Sequence, residues 1–261
     1  MTLQRWMDDR QARGLYTFLR SEAVEGSGLS VEAVRKALQR LVQRGRLAKV
    51  KNYFFVIVPL EHRSALAPPA SWFIHDLMNA MNLPYYVGLL SAAAMFGASH
   101  QQSQEFQVVT DRSVRSLSVG RSRIRFVASQ FVSKIARKLI RTPTGSIQVS
   151  TPESTVVDLV RFAKIAGNLD NVATIIAELV PILRSRELSR AVKVSNDVPN
   201  AQRLGYILNQ VGANPLSLPI HRWIERQNPR MISLRSGCNA PDSEPDERWH
   251  ILVDQVLEVE V

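Results

Sequence analysis

Arg35, Lys36, Gln39, Arg40 and Gln43 recur at one-, three- and four-residue intervals in "LSVEAVRKALQRLVQRG", a spacing that gathers them on one face of an α-helix. Their chemistry suits a polyanion. Arginine and lysine donate to phosphates and guanine edges, and Gln39 can pair with adenine in a major groove. A second basic set is Arg121, Arg123 and Arg125 in "VGRSRIRFV", with Arg112 and Arg115 just before it. Residues two apart project from one face of an extended strand, which puts Ile124 and Phe126 on the other. The plainer readings are a solvated helix face for the first set and internal neutralisation by the acidic tail that begins at Pro241 for the second.

Spacings that would support catalysis are missing. A nucleotidyltransferase needs Gly-Ser followed about ten residues later by an acid-x-acid pair, since two carboxylates must hold the metal that aligns the nucleotide phosphates. Gly145-Ser146 is followed by Asp158, but residue 160 is valine. There is no phosphate-loop signature, dinucleotide fingerprint or nucleophile elbow. His62, His75, His100, His221 and His250 are scattered and read as structural. Cys238, the single cysteine, can form neither an intramolecular disulfide nor a zinc site. The expectation is a protein that is not an enzyme and holds no metal or cofactor.

The elements that must position the basic residues are well punctuated. Ser30 stands at the N-cap, Glu32 in the first turn and Gly45 after Arg44, so a helix should run from about Val31 to Arg44. Val34, Leu38, Leu41 and Val42 would face a core, and Ala37 leaves room for close approach. "LAKVKNYFFVIV" then reads as a β-hairpin with Lys49, Lys51 and Asn52 at or near its tip and Tyr53 to Val58 as a buried return strand. Upstream come a first helix ending near Gly14, an apolar piece from Leu15 to Leu19 and a short helix from about Ser21 to Val24. This is winged helix-turn-helix order, in which the second helix of the motif reads the major groove and the hairpin touches the flanking backbone.

The chain is 261 residues long and 45% apolar, enough for two compact domains with real cores. No apolar run reaches the roughly eighteen residues of a membrane span, and Asp8 and Asp9 replace the basic start of a signal peptide. A soluble cytoplasmic protein is expected. The formal charge of +10 is uneven: residues 1–66 hold 12 Lys/Arg against 6 Asp/Glu, residues 111–150 hold 9 against 1, and residues 236–261 hold 1 against 7. Two basic concentrations imply a polyanionic partner.

A boundary falls at Pro68-Pro69, giving an N-terminal domain over 1–66 and a second over 67–261. Helices are predicted over Ser71–Leu83, with a stripe of Trp72, Leu77, Met78 and Met81, and over Tyr85–Ser99, where Ala92, Ala93 and Ala94 demand tight packing. Strands follow in "EFQVVTD", "SLSVG" and "RIRFVAS". From "TPTGSIQVSTPEST" onward the pattern is mainly helical, with Thr151 capping a helix that should end near Gly167. Further helices are expected at about Leu169–Leu183, Arg186–Val194, Asn200–Val211 and in "PIHRWIERQ". One or two terminal strands should return to the sheet. The fold class is mixed α+β, an N-terminal winged helix-turn-helix followed by a larger α+β domain with a small sheet and a helical subregion.

With "YYVGLLSAAAMFGASHQQSQEFQVVTDR", "VGRSRIRFV", "STPESTVVDLVRF" and "NAQRLGYILNQVG" in this order behind the winged helix, nearly the whole chain resembles the AbiEi antitoxins of type IV toxin–antitoxin systems. The resemblance implies an N-terminal domain that binds inverted repeats in the operon's own promoter and represses it. It also implies a C-terminal domain that counteracts a nucleotidyltransferase-like toxin without a stable complex, in systems tied to abortive phage infection. Carried over by position, the residues reading double-stranded operator DNA are Ser30, Glu32, Arg35, Lys36, Gln39 and Arg40, with Lys49, Lys51 and Asn52 on the wing. Arg112, Arg115, Arg121, Arg123 and Arg125 become a surface for antitoxicity, cooperative DNA binding or both. No membrane and no small-molecule ligand is expected. The alternative is a ligand-responsive winged-helix regulator whose effector pocket would be lined by Trp72, Phe73, Tyr85, Tyr86 and Phe96.

Overall fold

The computed structural model describes residues 2–98, 105–235 and 243–259. His100, Cys238 and the start of the acidic tail at Pro241 lie outside them. By its contacts the chain divides into two compact units, one of Met1–Tyr86, Gln104–Gln130 and Leu139–Gln148, the other of Val87–Ser103, Phe131–Lys138 and Val149–Val261.

The first unit opens with α1 (Leu3–Ala12), β1 (Thr17–Leu19), α2 (Arg20–Ser27), α3 (Val31–Gln43), β2 (Leu47–Lys49) and β3 (Phe54–Ile57). These elements follow the winged-helix order that local signals predict. The Ser30 hydroxyl accepts the Ala33 N–H at 3.3 Å, and Gly45, at φ 66°, stops α3. Val34 and Leu38 turn inward onto Trp6, Met7, Phe18 and Phe55. The three strands form an antiparallel sheet in the order β1-β3-β2, with Thr17 opposite Val56 and Leu47 opposite Ile57.

α2 is longer than the predicted Ser21–Val24. The Glu22 carboxylate accepts the Leu19 N–H at 2.6 Å and fixes its start, and Gly26 lets the Trp6 ring lie against its end, where a Cβ would stand 1.9 Å from the indole nitrogen. Tyr53, expected in the return strand, is exposed at the hairpin tip.

Beyond β3, Pro68 and Pro69 separate two short 3₁₀ turns, Leu60–Ala65 and Ala70–Trp72, and α4 covers Ile74–Ala80. These pack on the same unit: Trp72 stands edge-on to Tyr16 and His62, and the Thr17 hydroxyl donates to Asp76. The helix predicted over Tyr85–Ser99 is two elements, a strand β4 (Tyr85–Val87) and a helix α5 (Leu89–Met95). Tyr85, Tyr86 and Val87 are strand formers between Pro84 and Gly88, and only the alanine-rich part keeps the helix. Ala92 and Ala93 are fully buried, whereas Ala94 is exposed.

A six-stranded sheet runs in the order β6 (Leu117–Val119), β7 (Ser122–Ala128), β5 (Glu105–Thr110), β4, β9 (Gly145–Ser150), β8 (Arg137–Thr142). β5 and β7 are parallel, with Glu105 opposite Arg123 and Gln107 opposite Arg125, while β6 and β7 form an antiparallel hairpin at Gly120. β9 falls in the stretch from Thr142 onward that was expected to be mainly helical, and β8 in the stretch before it, for which no element was predicted. The signal of β9 is the alternation of buried Ile147 and Val149 behind Gly145.

Tyr85 is nearly fully buried; its hydroxyl accepts the Gln148 N–H at 3.4 Å and lies 3.1 Å from His75 Nδ1. Burial pushes the phenol up to about 12, Asp76 adding to the rise and the Gln148 N–H opposing it. The unfolded chain therefore loses this proton first as pH rises, so the contribution of Tyr85 to stability is present below about pH 10 and is lost between pH 10 and about 12. Comparing denaturant midpoints of the parent and Tyr85→Phe from pH 8 upward should give a parent curve that falls more steeply above pH 10; parallel curves would contradict this.

In the second unit α6 (Pro152–Arg161) starts as predicted, with the Thr151 hydroxyl accepting the Ser154 N–H at 3.3 Å. It ends at Arg161 rather than near Gly167. α7 (Leu169–Leu179) gives way to a 3₁₀ turn at Pro181, and α8 (Ser185–Ser195), α9 (Val198–Gln210) and α10 (Asn214–Glu225) complete the helical part. The terminal strands do not return to the six-stranded sheet. They form a separate three-stranded one, β10 (Ile232–Ser233), β12 (Ile251–Val253) and β11 (Glu244–Asp246), in that spatial order. α9 holds it: Gln202 Nε2 donates to the carbonyls of Arg230, Trp249 and His250 at 2.9–3.0 Å, and Arg203 to those of Ser233 and Leu234 at 2.9 and 2.8 Å. Burial lowers the Arg203 pKa while Asp197 opposes the shift.

Candidate nucleic-acid interface

α3 presents Arg35, Lys36, Gln39, Arg40 and Gln43 to solvent, opposite buried Val34 and Leu38. Among the described residues none of Arg35, Lys36 and Arg40 forms an ion pair, so their charge is available to a partner; Arg40 Nε reaches only the Lys36 carbonyl, at 3.4 Å. The hairpin stands beside this face. A groove of about 340 Å³ runs between them, bordered by Arg35, Gln39 and Gln43 from α3 and by Lys49 and Asn52 from the wing.

Arg20 also lines that groove, and the sequence reading did not single it out. Its guanidinium donates to the Asn52 carbonyl and its backbone N–H to Tyr53 at 2.9 Å, so the first residue of α2 holds the wing tip. Its only sequence signal is a basic residue at a helix start, where the dipole disfavours positive charge.

Other predicted residues have different settings. The Ser30 hydroxyl is engaged as the α3 cap, Glu32 is exposed in the first turn, and Lys51 is half-buried with its N–H donated to the Phe54 carbonyl at 3.2 Å. In the second basic set β7 begins at Ser122, so Arg121 lies in the hairpin turn and the strand carries Arg123 and Arg125. Arg125 pairs with Glu105 at 3.3 Å. Arg112 pairs with Asp111 at 3.1 Å, a hydrogen bond that raises its pKa. Arg115, Arg121 and Arg123 are exposed. Of the described tail acids, Asp254 pairs with Arg235 at 3.2 Å and Asp246 accepts the Trp249 N–H at 2.9 Å, both within their own unit.

Of the aromatic residues that an effector pocket would have used, Phe73, Tyr85 and Tyr86 are core. No three His, Cys, Asp or Glu side chains are grouped to hold a metal ion among the described residues, and no described helix is long and apolar enough to cross a membrane.

The fold is thus that of a mixed α/β protein that opens with a winged-helix order of elements and continues into a larger sheet-and-helix region. Residues 86–210 match the AbiEi antitoxin C-terminal domain. This bears out, for that part of the chain, the resemblance drawn from the sequence: residues 86–210 carry an antitoxin domain of the AbiEi type, which supports a role as the antitoxin of a toxin–antitoxin system. The fold is similar to the crystal structure of the RV2827C protein from Mycobacterium tuberculosis, with a TM-score of 0.70, 11% sequence identity and coverage of 97% of this chain and 93% of that one. At that identity the likeness concerns the fold alone. No curated protein matches the chain.

Proposed function

We propose that this antitoxin represses its own operon by binding promoter inverted repeats through α3 and the wing, and counteracts a nucleotidyltransferase-like toxin in a type IV system without forming a stable complex with it. The protein acts in the cytoplasm and catalyses nothing itself. Residues 1–66 carry the DNA-reading function and residues 67–261 the antitoxin function. The observation that supports this best is the groove shared by α3 and the hairpin, where Arg35, Gln39, Lys49 and Asn52 converge. Helix side chains read base edges there, and the wing contacts phosphates and positions the helix.

Footprinting on the protein's own promoter tests the DNA-reading half. Protection of paired repeats, with a salt-dependent affinity that exceeds random DNA by about a thousandfold or more, is expected. Binding without preference would reduce the protein to a general nucleic-acid binder.

Arg121, Arg123 and Arg125 serve the other half. Replacing all three by glutamine should impair survival of toxin-expressing cells more than it weakens operator binding, because these arginines stand outside α3 and the wing. Full survival with the triple variant would remove this surface from antitoxicity.

A further inference from the structure

We propose that a cleft in the second unit, between α6, α8 and the segment Phe131–Lys138, binds a phosphorylated small molecule of the nucleotide class. The cleft encloses about 480 Å³, within the roughly 300–1,000 Å³ of small-molecule sites. Lys134 and Lys138 of the Phe131–Lys138 segment line it, together with Arg184 at the start of α8 and Arg190 within it. Its two carboxylates are already engaged. Glu187 pairs with Arg190 at 2.9 Å, and buried Glu153 accepts the Arg184 backbone N–H at 3.2 Å.

Lys134, Lys138 and Arg184 are therefore left exposed and without an ion pair among the described residues. The Lys138 ammonium lies 4.2 Å from the centre of the Phe96 ring, which orients it without neutralising it. Three cations held around one concavity repel each other, and a bound polyphosphate would relieve that repulsion. Two separate elements supply the charge. The first turn of α6 contributes little, since the Ser154 and Thr155 N–H groups are bonded to the Thr151 hydroxyl and carbonyl.

The remaining walls decide the class of ligand. Ile135, Ile182, Ala191 and Val194 give the cleft an apolar side that inorganic phosphate alone would not use. A phosphate chain against the cations and a nucleoside against the aliphatic wall satisfy both halves. This site goes beyond operator reading and toxin neutralisation, and it departs from the expectation that the protein has no small-molecule ligand.

Isothermal titration of the full chain with ATP, GTP, CTP and UTP, and with inorganic tripolyphosphate as a probe of charge alone, tests it. At least one nucleotide should bind saturably and about tenfold or more tighter than tripolyphosphate. Lys134→Glu and Arg184→Glu should each weaken that binding by about tenfold or more, while Arg226→Glu, the same charge change at the exposed end of α10, leaves it unaltered. If Arg184→Glu does not fold, Lys134→Gln and Lys138→Gln at exposed positions should still each weaken binding by about threefold or more. Three results would overturn the proposal: no saturable binding of any nucleotide, tripolyphosphate binding as tightly as the best nucleotide, or the cleft variants binding like the parent.

Discussion

The double variant Arg35→Ala/Gln39→Ala is expected to bind operator DNA about 2–6 kcal/mol more weakly than the parent, on the scale of roughly 1–3 kcal/mol for each good base contact. Both side chains are exposed on α3 and border the groove beside the wing. The loss should fall mainly on the operator, because base contacts specify and phosphate contacts position. Lys51→Ala provides the contrast: it should weaken operator and random DNA alike and reduce the dependence of log affinity on log salt by about one. Titrations on both DNAs at several salt concentrations separate the two patterns. Equal loss on random DNA for the double variant would falsify the assignment of Arg35 and Gln39 as base readers.

Gly205→Ala is expected to destabilise the second unit by about 2 kcal/mol. A Cβ at residue 205 would stand 2.0 Å from the Trp249 ring, and that ring is fully buried. Overpacking of this kind costs about 1–3 kcal/mol and sometimes more, against a gain of about 1 kcal/mol from replacing glycine inside a helix. The upper part of the range applies because Gln202 and Arg203, on the same helix, are bonded to the strands that flank Trp249, so the indole cannot withdraw without breaking those bonds. Calorimetry should give a melting temperature several degrees lower for the full chain, and Gly205→Ala should cost less when Trp249 is replaced by leucine. A raised melting temperature would mean that helix propensity outweighs packing at this position.

The contrast between these two sites explains how much was legible in the sequence. The α3 face could be read because its signals are local: Ser30, Gly45 and the spacing of Val34 and Leu38 are all within one helix. The hairpin was equally local. Tyr85–Val87 misled because an uninterrupted apolar run does not distinguish a buried strand from a buried helix. The terminal strands were recognised as strands but assigned to the wrong sheet, since their anchor is Gln202, 28 to 48 residues from the carbonyls it serves. For the same reason "QRLG" could be matched to a family pattern without its role as a clamp being visible. Arg20 was missed because its importance lies in a tertiary contact with the wing tip. The arginines from Arg112 to Arg125 were found by spacing, but only the folded strands reveal that Arg112 and Arg125 have carboxylate partners whereas Arg115, Arg121 and Arg123 are exposed.

Growth rescue is the most direct test of how this antitoxin works. The full chain and its Arg35→Ala/Gln39→Ala variant would each be expressed from a foreign promoter beside the product of the neighbouring downstream gene, with colony survival and co-purification of that product as readouts. Survival restored by both proteins, with no toxin retained on the purified antitoxin, is the result the proposed function predicts, since that proposal places neutralisation outside α3 and without a stable complex. Rescue lost in the variant, or toxin recovered as a stable complex with the antitoxin, would contradict that division of labour.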